Sequence, residues 1–133
     1  MDLTPDELAF LQDVFDLARE GHTAKLLARL DLGVPVDLTN TKGDTLLTLA
    51  AYHDQVDTVR MLLSRGADHE RANDRGQTAL GAAVFRQSAD GVRALLTAGA
   101  DPQARSPSAM ELAAFFELPE MAELLRAGGS QQL

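Results

Sequence analysis

The sequence predicts an all-α fold, a solenoid of about four stacked helix-turn-helix units joined by short β-turn fingers. Three observations predict it: a 33-residue repeat, apolar residues at helical spacing inside each repeat, and a glycine that closes each unit. Residues 41–73 and 74–106 are identical at twelve of 33 positions, where about two identities are expected by chance. The flanking segments are fainter copies, as expected for end units that turn one face to water.

We therefore expect one domain over residues 1–129, with a frayed tail over 130–133. Its units span about residues 4–40, 41–73, 74–105 and 106–129. The closing glycines are Gly33, Gly66, Gly99 and Gly128, each suited to the left-handed conformation that ends a helix.

The first unit has a strong helix start. Thr4 is a suitable N-cap, Pro5 fits the first helical position, and Glu7 completes a capping box. We assign Phe10 and Phe15, which follow in the same helix, to the core.

The two central units share one pattern. Thr45 and Thr78 are placed as N-caps of the first helix, directly after a glycine-containing turn. The second helix begins near Val56 or Ala89. An acid in its first turn is followed three residues later by an arginine, in the pairs Asp57/Arg60 and Asp90/Arg93.

The last unit begins with a second capping box, Ser108 to Glu111, and its final helix begins at Pro119. The segment before Ser108 is three residues shorter than its counterpart in the repeat. We therefore do not expect a full finger there.

The composition excludes several classes of function. The 133 residues contain no cysteine, which excludes disulfides, thiolate metal sites and cysteine nucleophiles. A net charge of -8 opposes binding to nucleic acid or to an anionic membrane surface. No apolar run approaches the ~20 residues of a membrane span, and the N-terminus does not resemble a signal peptide. We expect a cytoplasmic protein.

These residues resemble the ankyrin repeat, in particular the small bacterial type. The family's β-turn, Thr-Pro-Leu-His-x-Ala-Ala, Val-x-Leu-Leu-Leu and Gly-Ala-Asp elements correspond to segments 43–51, 59–63 and 66–68, and again to 76–84, 92–96 and 99–101. The resemblance covers about residues 8–128. The family's proline is replaced by Leu46 and Ala79, and its histidine by Thr48 and Gly81, which predicts a less rigid stack.

Nothing in the sequence indicates catalysis, so we expect no enzymatic activity and no cofactor. His22, His53 and His69 lack the spacing of metal ligands and are interpreted as surface residues. No serine lies in a Gly-x-Ser-x-Gly elbow, and the glycines are spread one per turn rather than gathered in a phosphate loop.

The resemblance implies binding of a protein partner in a concave groove, through the finger tips and the exposed ends of the first helices. The residues at those positions are Lys42, Asp44, Tyr52, His53, Arg75, Gln77, Phe85, Arg86 and Phe115.

Three of these residues are aromatic and recur at equivalent positions of successive units. Tyr52, Phe85 and Phe115, with Phe116 alongside, are predicted to form a row along the groove. Aromatic anchors surrounded by charge are typical of binding hot spots, although such rings can also only fill space between helices.

Three functions stay open. The first is a monomeric module that binds an unidentified protein in its groove. The second is an acidic inhibitor or regulatory subunit that occludes a basic site on an enzyme. The third is binding of a small molecule or metal near His53 and His69.

Overall fold

The computed structural model describes residues 3–105 and 107–131 and is all-helical there, apart from an isolated antiparallel bridge between Thr39 and Thr45. Eight helices lie in this part of the chain: α1 Pro5–Glu20, α2 Thr23–Asp31, α3 Leu46–Tyr52, α4 Val56–Ser64, α5 Ala79–Phe85, α6 Ala89–Thr97, α7 Ala109–Phe115 and α8 Pro119–Gln131. They form four consecutive helical hairpins, which confirms the predicted solenoid.

Helix starts follow the predicted capping chemistry. The Thr45 side chain accepts a hydrogen bond from the Thr48 amide at 3.0 Å, and Thr78 does the same for Gly81 at 3.2 Å. Thr4 and Ser108 each form a complete capping box. Because a side-chain cap satisfies a backbone amide that has no partner inside the helix, each of these residues fixes where its helix begins.

The hairpins stack in register, so the odd-numbered helices form an inner layer and the even-numbered helices an outer layer. Each inner helix packs on the next inner helix, and each outer helix on the next outer one. The two central inner helices are buried over residues 46–51 and 79–84, and only their last residues, Tyr52 and Phe85, are exposed. The core therefore runs the length of the stack, and these helix ends reach the surface.

Within each hairpin, the turn from inner to outer helix uses one left-handed residue at the same repeat position. In the first hairpin it is Gly21, with φ of 75°. In the next three it is Asp54, Gln87 and Glu117, with φ of 58°, 56° and 54°. A side chain in this conformation is strained, so three of the four hairpins carry strain next to the ends of their inner helices.

The assignment of Phe10 to the core is wrong. Phe15 is buried as predicted, but Phe10 is 39% exposed and lies beneath the guanidinium of Arg29, 5.4 Å from its ring centroid. The cause is the length of α1. Its 16 residues outreach the seven of the neighbouring helix α3, so only the second half of α1 is covered.

Gly128, which the repeat spacing places at the end of the last unit, lies inside helix α8 instead. The predicted frayed tail over 130–133 stays a prediction, since residues 132–133 lie outside the described part. The same holds for Met1 and Asp2 of the predicted domain and for Ser106, where the last unit was predicted to begin.

Candidate functional site

Three aromatic rings from successive hairpins contact one another at the exposed ends of the inner helices. Tyr52 stacks on Phe85 with ring centroids 6.0 Å apart and planes inclined by 7°. Phe85 in turn meets Phe116 edge to face, with centroids 5.6 Å apart. We call these three residues the aromatic ladder. Each is 39–45% exposed, so the rings pack on one another and still present apolar surface to solvent.

The third ring of this contact series is Phe116 rather than Phe115. The repeat register aligns Phe115 with Tyr52 and Phe85, yet Phe115 is 79% exposed and contacts only the Phe116 ring among the aromatic residues described, at 5.0 Å. Helix α7 ends at Phe115, and Phe116 is its C-cap. Phe116, the first residue after α7, is therefore the one whose ring contacts Phe85.

Positive charge lies beside the aromatic ladder. His53 is the C-cap of α3, and its ring meets Tyr52 edge to face at 5.3 Å. Partial burial, together with the positive charges of Arg19 and Arg86, lowers the pKa of His53 below its ordinary value. The guanidinium groups of Arg19 and Arg86, from the first and third hairpins, thus both act on the His53 ring of the second.

Arg86 differs from the arginines of the outer layer. It is exposed, and among the described residues its side chain forms neither an ion pair nor a hydrogen bond. Most outer-layer arginines are paired with acids, in the pairs Arg29–Asp13, Arg60–Asp57, Arg65–Asp31, Arg93–Asp90 and Arg126–Glu123. Two of these, Asp57–Arg60 and Asp90–Arg93, are the predicted helix-surface pairs.

Two fingers project opposite the ladder, over residues 39–45 and 72–78. Each is held by an asparagine whose side-chain oxygen accepts two backbone amides. Asn40 accepts from Lys42 and Asp44 at 2.9 and 3.0 Å, and Asn73 from Arg75 and Gln77 at 2.9 Å each. These turns hold the four predicted finger residues in place.

The two fingers are also linked to each other. The Asn73 amide donates to Asp44 Oδ1 at 2.7 Å, and the Asp74 backbone amide donates to the Lys42 carbonyl at 3.0 Å. Asp44 is thereby held by hydrogen bonds from Asn40 and Asn73. In contrast, the side chains of Lys42 and Arg75 form no ion pair within the described chain.

In the connection from α6 to α7, the side chain of Arg105 takes the place of a third finger. The connection from α6 to α7 is shorter than the one from α4 to α5, as the sequence predicts, and Arg105 has a positive φ of 71° there. Its guanidinium donates to the Glu70 carbonyl at 3.2 and 2.7 Å through Nε and a terminal nitrogen.

The ladder and the fingers enclose one groove of about 1310 Å³. Its lining includes seven of the nine predicted binding residues: Lys42, Asp44, Tyr52, His53, Arg75, Gln77 and Phe85. Arg86 and Phe115 lie outside this lining. Phe116 and apolar residues of α1, such as Leu8 and Leu11, belong to it. The α1 residues escaped sequence analysis because the first unit aligns poorly with the repeat.

The histidines of the groove are poorly placed to bind a metal ion. His69 lines the groove, but its Nδ1 forms a hydrogen bond with Glu70 Oε1 at 2.9 Å. His53 lies near the positive charges of Arg19 and Arg86. Within residues 3–105 and 107–131 there is no group of three or more His, Cys, Asp or Glu side chains that could hold a metal ion. None of the described helices has the length and apolar character needed to cross a membrane.

Comparison with known proteins identifies the repeat. The family model described as "Ankyrin repeats (3 copies)" matches residues 15–106. A 52-residue segment is 50% identical to a Pseudomonas aeruginosa protein that carries the name of an ankyrin repeat protein. This segment covers 39% of the chain and 30% of that relative, so the match extends over less than a third of the relative's length.

Proposed function

The chain belongs to the ankyrin-repeat family, whose repeats are protein–protein interaction modules, and we propose that it binds a protein partner in its groove without chemistry of its own. The family sets the class of function, whereas the surface used depends on this chain's own side chains. We further propose that it acts as a monomer.

The aromatic ladder is the observation that carries this proposal. Half-exposed aromatic rings beside cations have the composition of interface hot spots, in which a few aromatic and arginine side chains supply most of the binding energy. The bond between the fingers supports the proposal as well, because a surface that is already ordered loses little entropy when it binds.

The test compares partner capture by the wild-type chain with capture by Tyr52→Ala, Phe85→Ala and Arg86→Ala. Proteins crosslinked to each bait in the source cells are quantified by mass spectrometry, and affinities are then measured with the purified partner. We expect each variant to lose 1 kcal/mol or more of binding free energy, while its circular dichroism spectrum stays that of the wild type. Arg60→Ala and Arg93→Ala, on the outer layer, are the matched controls.

Normal binding by all three variants would show that the partner does not use this groove. The acidic-inhibitor alternative, favoured by the net charge of -8, would then gain support if Asp57→Asn and Asp90→Asn weakened binding instead. Binding through Asp57 and Asp90 should also weaken steeply as the salt concentration rises.

A further inference from the structure

Resting on the proposed groove function, we infer that the partner segment is an amphipathic helix with acidic flanks, whose apolar side chains lie along the aromatic ladder. Three features of the groove support this occupant: the spacing of the rings, the charges that have no partner, and the size of the space.

The ring spacing fits a helix. Successive rings of the ladder are 6.0 and 5.6 Å apart between centroids. One turn of an α-helix rises about 5.4 Å, whereas same-face residues of an extended strand are about 6.6–6.8 Å apart. Apolar side chains at positions i, i+3 or i+4, and i+7 of a helix would therefore each meet one ring.

The charges favour acidic flanks on that helix. Four of the five carboxylates in the groove lining accept hydrogen bonds inside the chain: Asp16 from Arg19, Asp44 from Asn40 and Asn73, Glu70 from His69, and Asp101 from the Gln103 amide. The fifth, Asp74, accepts none from the described residues, so it is the one acid in the groove that would repel an acidic ligand directly. Lys42 and Arg75 on the finger side, and Arg86 beside the ladder, have no such partner among the described residues. Cations without a partner are thus available on the fingers, inside the groove, and directly after Phe85, just outside its lining.

The net charge of -8 does not cancel this local preference. At physiological ionic strength, charges separated by more than about 8 Å are largely screened, so contacts within the groove decide which residues pair. We therefore expect direct pairs with Lys42 and Arg75 in the groove, and with Arg86 just outside its lining, to count for more than repulsion from acids on the outer layer.

The volume of the groove is also suitable. A space of about 1310 Å³ corresponds to roughly three turns of a helix about 10 Å in diameter. Three turns are also what is needed to bring three apolar side chains over three rings.

The experiment selects binders from a displayed library of 18-residue peptides, using the full chain as bait and no assumed partner. We expect enrichment of peptides with apolar residues at helical spacing and Asp or Glu beside them. The consensus peptide is then measured by fluorescence anisotropy. Arg86→Glu should weaken its binding about tenfold or more, whereas the matched outer-layer variant Arg93→Glu should stay within about twofold of the wild type.

Two changes in the peptide complete the test. Replacing by lysine only the acids on the flank next to Arg86 should weaken binding to the wild type and restore binding to Arg86→Glu, because the acids that meet Lys42 and Arg75 are kept. A central proline should reduce affinity about tenfold or more, because it breaks the helix.

The outcomes separate this inference from the proposed function. The selected peptides could be basic or neutral, or could tolerate the proline, and still need Tyr52 and Phe85. That result would overturn the inference, whereas the groove function would stand. Peptides that bind equally well to Tyr52→Ala and Phe85→Ala would count against both. If no peptide is enriched, the inference is wrong, and cellular partner capture decides the proposed function on its own.

Discussion

The ring of Tyr52 lies parallel to the ring of Phe85, with 6.0 Å between centroids, although the two residues are 33 positions apart. One repeat period thus places equivalent aromatic rings in contact. We expect a double-mutant cycle with Tyr52→Ala and Phe85→Ala to give a coupling energy of about 0.5–1.5 kcal/mol in the free energy of unfolding. Urea denaturation measures it. Phe10→Ala with Phe85→Ala is the control pair and should be additive, and equal coupling in both pairs would contradict a direct ring contact.

Asn73 should matter more for stability than Asn40. Both hold two backbone amides of their own finger and donate to Asp44, but the bond from Asn73 is short, at 2.7 Å, and links two fingers, whereas the bond from Asn40 is 3.3 Å long and stays within one finger. Asn73→Ala should lower the free energy of unfolding by about 2 kcal/mol. Asn40→Ala should lower it by only about 1 kcal/mol, because each hydrogen bond contributes about 0.5–1.5 kcal/mol. Chemical denaturation of the two variants side by side provides the comparison. Equal losses would mean that the link between the fingers contributes nothing measurable.

Two helical glycines should respond oppositely to alanine. At Gly81 the nearest atom to a new methyl group is the flexible end of Leu112, at 3.2 Å, and its next neighbours lie at ordinary contact distance, so Gly81→Ala should stabilise the chain by about 0.5–1 kcal/mol. At Gly91 it would lie 2.8 Å from the Ser88 hydroxyl that caps helix α6, so Gly91→Ala should destabilise it. Thermal unfolding of both variants tests the pair, and the same sign for both would refute this account of their packing.

Acid should weaken the fold through His53. Its pKa is lowered in the folded chain, first by burial and then by Arg19 and Arg86, so the unfolded chain binds the proton more readily. Its contribution to stability is therefore complete above the unfolded pKa of about 6.5 and decreases as the pH falls below that value. His53→Gln should lose less stability than the wild type between pH 7.5 and 5. In an NMR titration, Arg86→Ala should raise the pKa of His53, and an unchanged pKa would remove Arg86 from the explanation.

Local chemistry is what made the fold predictable from sequence. The caps at Thr45 and Ser108 act within three residues, and the repeat fixes the order of the hairpins. Phe10 was misassigned because its exposure depends on the length of a neighbouring helix, which the pattern of α1 does not contain.

The site was predictable only in outline. The repeat register located Tyr52 and Phe85, but the contact of Phe116 with Phe85 depends on how α7 ends. The pairing of Arg93 with Asp90 was predictable from their spacing of three residues on one helix, whereas whether an acid from another hairpin reaches Arg86 depends on its three-dimensional neighbours. The sequence predicts which residues repeat, whereas the structure determines which of them remain available.

In the shortened connection before the final hairpin, which has no full finger, the Arg105 guanidinium donates to the Glu70 carbonyl and the Asp101 amide donates to the Glu70 carboxylate. Because this hairpin is packed against a neighbour on one side only within the described chain, we expect its amide hydrogens to exchange faster than those of the two central hairpins. Phe116 belongs to the same hairpin, so opening would remove one ring from the binding surface. A ligand that covers Phe116 would in turn hold the hairpin closed. Binding of the ligand would then be coupled to the folding of the final hairpin.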